Sequence, residues 1–380
     1  MKTDKCKQPG VFRYISLGDV HLGHLSTPTE LIISNLERLL CHNTLKELDM
    51  VIITGDLFDH QLLNGSDTSH EIERWMTSLM MACATYDVQL RIVEGTPSHD
   101  RLQPKYFVEQ QQNANIPVDL FYGQKLCIEY NAKLDAHFLY VPDKWRPTTE
   151  ITLNEVRQLL KQHDLEKVDF AIMHGAFEYQ YPEVVLEPTH CSETYLELVK
   201  YHILIGHVHI QNPRGRIFPA GSFDRLSHGD EIPKGLFLNT VREDGEFTSK
   251  FIENKGAKRY VTLDVYGQNT MELYNTIKTE ALVLPKHSAI RLRCNSNDIA
   301  TGDINTFMTT YPEYLWTIDP QRPDAKKKKP IAESLKDFDM SDYIDITPES
   351  ISELLCIEIG KHTEDPILIN NCLNRLKEFL

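Results

Sequence analysis

The sequence predicts a layered α/β protein with a second, smaller unit and a C-terminal extension. Short apolar runs at residues 11–17 and 50–54 each lead into a Gly-Asp pair, and they alternate with stretches of helical periodicity at residues 31–48 and 72–84. Strands that alternate with helices are typical of parallel sheets covered by helices. The length of 380 residues is enough for two domains and an extension.

Composition narrows the class of protein. Hydrophobic residues make up 41% and charged residues 25%, as in ordinary globular proteins. We expect neither a membrane span, which needs about 18 consecutive apolar residues, nor a secretory signal. Eight cysteines without a Cys-x-x-Cys pair predict reduced thiols in a cytosol-like compartment.

The net charge of −15 argues against a protein that coats nucleic acid through lysine and arginine. It does not argue against a nuclease, because bound divalent cations can reverse the local field of a site. A partner subunit could also supply a basic surface.

The chain divides into four predicted segments. After the first three strands, at 11–17, 50–54 and 88–93, the apolar runs predict further strands at residues 136–141, 168–173, 202–205, 216–218 and 235–239. A small βαβα module follows, with strands at 259–265 and 289–294 and helices at 271–282 and 304–310. We therefore predict a first domain at 1–257, a second at 258–318, an exposed linker at 319–346 and terminal helices at 347–380.

Histidines and aspartates follow several of these strands. Ligands bind outside the carboxyl ends of strands in open α/β sheets, so we expect these side chains to converge. Alternation along an extended segment would place Asp19 and His21 on one side. His207 and His209 would likewise share one side or splay to two metals, and Asp56 could bridge two ions.

Mixed Asp/His sites suit Mn²⁺, Fe or Zn²⁺ better than Ca²⁺. Two such ions, about 3.5–4 Å apart, can clamp a phosphate and activate a water for in-line attack. The pattern therefore predicts a two-metal phosphoesterase.

Five elements occur in the order D-x-H, GD-x-x-D, GNH-[DE], H and G-H-x-H. In this chain they are Asp19–His21, Gly55–Asp59, Gly95–Asp100, His174 and Gly206–His209. Over residues 10–255 the sequence thus resembles the calcineurin-like metallophosphoesterases. The resemblance implies a four-layer α-β-β-α sandwich with two divalent ions, Mn²⁺ being favoured and Mg²⁺, Fe or Zn²⁺ being alternatives.

Within that superfamily, the segments at residues 19–23, 55–59 and 219–235 resemble the SbcD-type DNA-repair nucleases, including phage-type subunits. This resemblance implies a double-strand exonuclease and single-strand endonuclease. It further implies a DNA-selecting cap at 258–318, terminal helices that dock on an SbcC-type coiled-coil ATPase, and a homodimer within that complex. The expected location is the cytoplasm of a bacterium or of a phage-infected host cell.

The resemblance also assigns roles to single residues. The first metal would be held by Asp19, His21, Asp56 and His209. The second would be held by Asp56, His174, His207 and the residue that replaces the family's asparagine. His99 would lie beside the phosphate, where it stabilises the transition state or protonates the leaving oxygen. Asp59 is a second catalytic candidate, with capping of the next helix as the alternative.

The third motif departs from the family pattern. The loop Gly95–His99 is two residues longer, and Ser98 stands where asparagine is expected. Ser98, a backbone carbonyl or a water could serve the second metal, which would then bind more weakly. Two rival functions therefore stay open: a phosphoesterase for small nucleotides or phosphomonoesters, and a catalytically impaired scaffold subunit.

Overall fold

The computed structural model describes residues 10–321, except residues 144–147, 183, 186–187, 231 and 282. All described residues belong to one compact body, within which residues 258–321 form a smaller α/β unit. The predicted terminal helices at 347–380 and most of the predicted linker lie outside the described residues. None of the described helices is long and apolar enough to cross a membrane.

The described residues alternate between strands and helices along the chain. In chain order the elements are β1 (Val11–Leu17), α1 (Thr29–Leu39), α2 (His42–Leu45), β2 (Met50–Ile53), α3 (Asp67–Tyr86), β3 (Gln89–Val93), α4 (Lys105–Asn113), β4 (Leu120–Gly123), β5 (Cys127–Asn131), β6 (Ala136–Val141), α5 (Thr149–Gln162), β7 (Phe170–Gly175), a 3₁₀ turn (Glu178–Gln180), α6 (Ser192–Leu198), β8 (Ile203–His207), β9 (Ile217–Pro219), β10 (Gly235–Arg242), β11 (Phe247–Glu253), β12 (Tyr260–Asp264), α7 (Thr270–Ala281), β13 (Ala289–Asn295), α8 (Ile299–Thr310) and β14 (Leu315–Gln321).

Two sheets form the body of the protein. The first has the order β11-β10-β1-β2-β3-β4, and the second has the order β5-β6-β7-β8-β9. The central strands β1 to β4 run parallel, as do β6 to β9. The carboxyl ends of β1 and β2 in one sheet, and of β7 and β8 in the other, are therefore available to build a single site.

Three hydrophobic clusters show a four-layer α-β-β-α sandwich. Between the sheets, Tyr14 and Ile52 of the first sheet pack with Phe138 and Leu204 of the second. Helices α1, α3 and α4 cover the outer face of the first sheet, and α5 and α6 cover that of the second. This architecture is the predicted one, and it buries both faces of the parallel strands.

The smaller unit has its own sheet and core. Strands β12, β13 and β14 are all parallel, and α7 and α8 pack on them through residues such as Leu273, Ile277 and Phe307. The third strand, β14, extends through Gln321, so residues 319–321 of the predicted linker belong to this sheet.

Candidate metal centre

Four candidate ligands lie at the carboxyl ends of central strands. Asp19 follows β1 and Asp56 follows β2, while His174 lies in β7 and His207 ends β8. The strands β1 and β2 pair in the first sheet, and β7 and β8 pair in the second. The sandwich therefore brings ligands from both sheets to one edge.

The first cluster consists of Asp19, His21 and His209. Their ligand atoms all lie within 4.8 Å of one another, and Asp19 Oδ1 is 3.8 Å from His209 Nε2. Asp19 and His21 are buried. The Asp19 carboxylate also accepts the backbone N–H of His207, at 2.9 and 3.0 Å from its two oxygens.

The second cluster consists of Asp56, His174 and His207, whose ligand atoms also lie within 4.8 Å of one another. Asp56 Oδ2 is 3.2 Å from His174 Nε2. The Nδ1–H of His174 donates to the carbonyl of Thr54 at 2.7 Å. Since a carbonyl only accepts, this bond leaves Nε2 for a metal.

The two clusters divide the Gly-His-Val-His motif, because His209 lies in the first and His207 in the second. Asp56 belongs to the second cluster by this distance criterion. Its role as a bridge between two ions stays a prediction.

The ligand-bearing backbone is not extended. Asp19, His21 and Asp56 have φ values of 49°, 54° and 48°, and His207 has a φ of 104°. The expectation that Asp19 and His21 meet because they alternate along an extended segment is therefore wrong in its reason. The two side chains converge because the chain turns through the left-handed region after β1.

Thr96, and not Ser98, lies among the second cluster. Thr96 Oγ1 is 3.1 Å from Asp56 Oδ2, 3.2 Å from His174 Nε2 and 3.3 Å from His207 Nδ1. Ser98 is exposed, and its carbonyl accepts the Arg101 guanidinium. Thr96 directly follows Gly95, as asparagine follows glycine in the family motif, and this adjacency was the signal that the sequence offered.

His99 and Asp59 lie beside the first cluster, where they form a third group with His21. The Asp59 carboxylate accepts His21 Nδ1–H at 3.1 Å, and the Asp59 carbonyl accepts His99 Nδ1–H at 2.6 Å. Asp59 therefore contacts both imidazoles and orients them. These contacts favour a positioning role for Asp59 over a direct catalytic one.

A buried network fixes the loop that carries Thr96 and His99. The Asp100 carboxylate accepts the backbone N–H groups of Phe58 at 2.9 Å and Gly95 at 2.8 Å. Gln103 bonds to the backbone of Leu62 and His60. Burial raises the pKa of Asp100 to about 8. The loop is thereby tied to the segment that follows Asp56.

The segment after β9 contacts two residues of the first cluster. Phe223 N–H donates to the Asp19 carbonyl at 3.2 Å, and the buried Lys234 donates to the His209 carbonyl at 2.9 Å. Asp224 accepts the backbone N–H of Lys258 at 2.7 Å. The segment thus contacts two metal-ligand candidates and the residue at which the smaller unit begins.

Burial and neighbouring charges shift the pKa values of the candidate ligands. Burial raises the pKa of Asp19 to about 6 and lowers that of His209 to about 4. Burial opposes the charged form of His174, but the adjacent Asp56 carboxylate outweighs it and raises the His174 pKa to about 10. A cation that binds these groups competes with protons, so binding releases them.

The residues present fit a divalent metal. The buried His21 Nε2 has no hydrogen-bond partner, although its Nδ1 is held by Asp59, so its lone pair is left for a cation in the cluster. Each cluster joins one carboxylate with two imidazoles, the donor set that Mn²⁺, Fe and Zn²⁺ accept. Fold and site together define a metal-dependent phosphoester hydrolase.

Comparison with known proteins agrees with this class. Residues 12–211, more than half of the chain, match the calcineurin-like phosphoesterase family, and the chain belongs to that family. The family uses a dinuclear divalent metal centre. The comparison with curated proteins found no match.

Two solved structures resemble the chain weakly. The crystal structure of TT1561 of Thermus thermophilus is 10% identical with a TM-score of 0.36, and the match covers 63% of this chain and 99% of that chain. A second structure is 9% identical with the same TM-score and coverage. The family assignment rests on the matched residues and not on these likenesses.

Proposed function

We propose that the protein is a Mn²⁺-dependent DNA nuclease subunit that works with an SbcC-type ATPase in DNA repair or recombination. The substrates would be duplex ends for exonuclease action and single strands or hairpins for endonuclease action. The family supplies the hydrolase class, and the polynucleotide substrate is the part that we add.

One observation carries the choice of substrate. The segment of residues 219–234 joins the first ligand cluster, through Asp19 and His209, to Lys258 at the start of the smaller unit. A separate α/β unit tied to the metal ligands suits a long substrate that extends beyond the reacting phosphate. The same segment carries the resemblance to SbcD-type nucleases.

The candidate residues would have two kinds of role, metal binding and proton transfer. Two bound ions would polarise the phosphodiester and lower the pKa of the attacking water. Asp19, His21 and His209 would hold one ion, and Asp56, His174 and His207 the other. His99, with its Nδ1–H held by the Asp59 carbonyl, would present Nε2 to the phosphate or to the leaving oxygen.

The test is hydrolysis by the purified full-length chain with Mn²⁺. Its substrates are end-labelled duplex DNA, a DNA hairpin, bis-p-nitrophenyl phosphate and p-nitrophenyl phosphate. We expect cleavage of both DNA substrates, and a decrease of about 10²–10⁴-fold for His99→Ala. His163→Ala, the same change at an exposed histidine, is the matched control and should cleave normally.

Other outcomes would overturn parts of the proposal. Efficient turnover of p-nitrophenyl phosphate without DNA cleavage would indicate the small-molecule phosphoesterase. Mn²⁺ binding without any hydrolysis would indicate the scaffold subunit. Unchanged cleavage by His99→Ala would remove His99 from the reaction.

The ATPase partner is tested separately. Residues 347–380, which we propose as the docking segment, should be needed for co-purification with a large coiled-coil ATPase from the source cell. Full-length protein that never co-purifies with such an ATPase would contradict this part of the proposal, as would a truncated chain that still does.

A further inference from the structure

The Thr96 hydroxyl lies among the ligand atoms of the second cluster. Three candidate ligand atoms surround Oγ1 at 3.1, 3.2 and 3.3 Å: Asp56 Oδ2, His174 Nε2 and His207 Nδ1. A hydroxyl has one proton to donate and two lone pairs. Asp56 Oδ2 is an acceptor, and so is His174 Nε2, since the Nδ1–H of that ring is donated to Thr54. The single hydroxyl proton cannot serve both acceptors, whereas a cation shared by all of these atoms would.

These spacings match those of ligands around one ion. Donor atoms about 2.0–2.2 Å from a metal ion lie about 3.0–3.5 Å apart in octahedral or tetrahedral geometry. Asp56 Oδ2 and His174 Nε2, at 3.2 Å, fall in the same range. The Thr96 hydroxyl thus lies at a position suited to a fourth ligand of an ion that the other three atoms would bind.

The backbone keeps Thr96 at this position. Its N–H donates to Asp56 Oδ1 at 2.6 Å, and its carbonyl accepts the N–H groups of His99 and Asp100. A Cβ on the preceding Gly95 would lie 2.1 Å from the Asp56 nitrogen and 2.4 Å from Asp56 Oδ1. Only glycine allows the loop to come this close, so the approach of Thr96 to Asp56 is built into the fold.

We propose that Thr96 is the fourth protein ligand of the second metal, and that its hydroxyl makes this site the weaker of the two. A neutral hydroxyl is a poorer donor to a divalent ion than the amide carbonyl of the family's asparagine. Ions then bind in two steps, the cluster of Asp19, His21 and His209 filling first. The consequence for activity rests on the proposed function: DNA cleavage requires the second ion, so the concentration of free Mn²⁺ regulates the nuclease.

The experiment is a Mn²⁺ titration of the full-length chain. Binding is measured by calorimetry and by the electron paramagnetic resonance signal of free Mn²⁺. Wild-type protein should bind two ions in two resolved steps. Thr96→Val should weaken the second step at least about tenfold and leave the first unchanged. Thr96→Ser, which keeps the hydroxyl, should bind the second ion as the wild type does, and Thr96→Asn should tighten the second step.

Two further variants complete the design. Thr85→Val makes the same chemical change at an exposed helix position and should leave both steps unchanged. Ser98→Ala removes the other hydroxyl of the loop, and we expect it to bind Mn²⁺ in both steps as the wild type does. Loss of the second step in Ser98→Ala, or its retention in Thr96→Val, would overturn the assignment, and a Thr96→Asn variant no tighter than wild type would overturn the claim about affinity.

The result is separable from the proposed function. Two-step binding that responds to Thr96, without DNA cleavage, would support the ligand and contradict the nuclease. If the wild-type protein cleaved DNA but Thr96→Val bound both ions normally, the nuclease would be supported and the Thr96 ligand contradicted. A chain that binds no Mn²⁺ would contradict both.

Discussion

At the scale of single residues, the site is built on backbone conformations that side chains rarely adopt. Asp19, His21, Asp56 and His207 all have positive φ, a region sparsely populated by residues other than glycine. Such conformations cost about 1–3 kcal/mol each and persist where the surrounding structure enforces them. Asp19 and His207 are joined by the bond from the His207 N–H to the Asp19 carboxylate, and the Asp19 N–H donates to the Gly55 carbonyl.

Asp59 provides the first prediction at this scale. Asp59→Ala removes the acceptor that holds His21 Nδ1–H, so the His21 ring loses its orientation toward the first ion. We expect the tighter Mn²⁺-binding step to weaken by about 10–100-fold, with partial recovery in Asp59→Asn, whose amide oxygen still accepts. Mn²⁺ titration of the folded variants measures this.

The control for Asp59 is Asp67→Ala, at an exposed aspartate in the first turn of α3. It should bind Mn²⁺ as the wild type does. If Asp59→Ala also kept the tighter step unchanged, the orienting role of Asp59 would be wrong.

The sequence was informative about ligands but not about the altered loop. The positions of Asp19, His21 and His209 close to strand ends are sufficient to predict a convergent cluster, although alternation along an extended segment is not what brings Asp19 and His21 together. The sequence predicts Ser98 as the residue that replaces the family's asparagine, because Ser98 precedes His99 as asparagine does. In the structure the two extra residues, Pro97 and Ser98, lie between Thr96 and His99, so that Thr96 keeps the position next to Gly95.

At the scale of elements, a buried ion pair joins the two sheets. Arg91 of β3 is fully buried, 2.7 Å from Glu129 of β5 and 3.0 Å from Asp119. Tyr140 of β6 donates to the same Glu129 carboxylate at 2.6 Å. Buried charges need such partners, so this group fixes how the sheets face each other at one edge.

The sequence pattern does not predict every element of the fold, and β5 and α5 are two examples. Strand β5 contains the half-buried Glu129. This charged residue interrupts the run of apolar residues by which β1 to β3 are predicted from the sequence. Helix α5 was also missed, although Leu153, Val156 and Leu160 have helical spacing and are buried. The predicted helix at 31–48 is divided into α1 and α2, because Cys41 is extended.

His190, between the 3₁₀ turn and α6, makes stability depend on pH. Burial lowers its pKa to about 4, against an ordinary value of 6.5. The unfolded chain therefore binds this proton more readily, so the stability present above pH 6.5 is lost as the pH falls toward 4. The loss is at most about 1.4 kcal/mol per pH unit for one proton.

Urea unfolding between pH 7 and 4.5, in the presence of a chelator, tests this. His190→Phe should decrease the slope of unfolding free energy against pH, since the ring of Phe fits among Phe177 and Tyr195. His163→Gln, at an exposed position, should keep the wild-type slope. An identical slope in His190→Phe and wild type would exclude His190 as the source.

At the scale of the whole molecule, both clusters take ligands from both sheets. The first combines Asp19 after β1 with His209 after β8, and the second combines Asp56 after β2 with His174 and His207. Bound ions would therefore hold the two halves of the sandwich together at this edge. The order of strands in the sequence could not show this, because it depends on how the sheets stack.

The most direct test of the metal centre is anomalous diffraction at the manganese edge from crystals of the protein grown with Mn²⁺. We expect two peaks about 3.5–4 Å apart, one among Asp19, His21 and His209 and one among Asp56, His174 and His207. Manganese found elsewhere, or absent from both clusters at saturating Mn²⁺, would contradict this expectation.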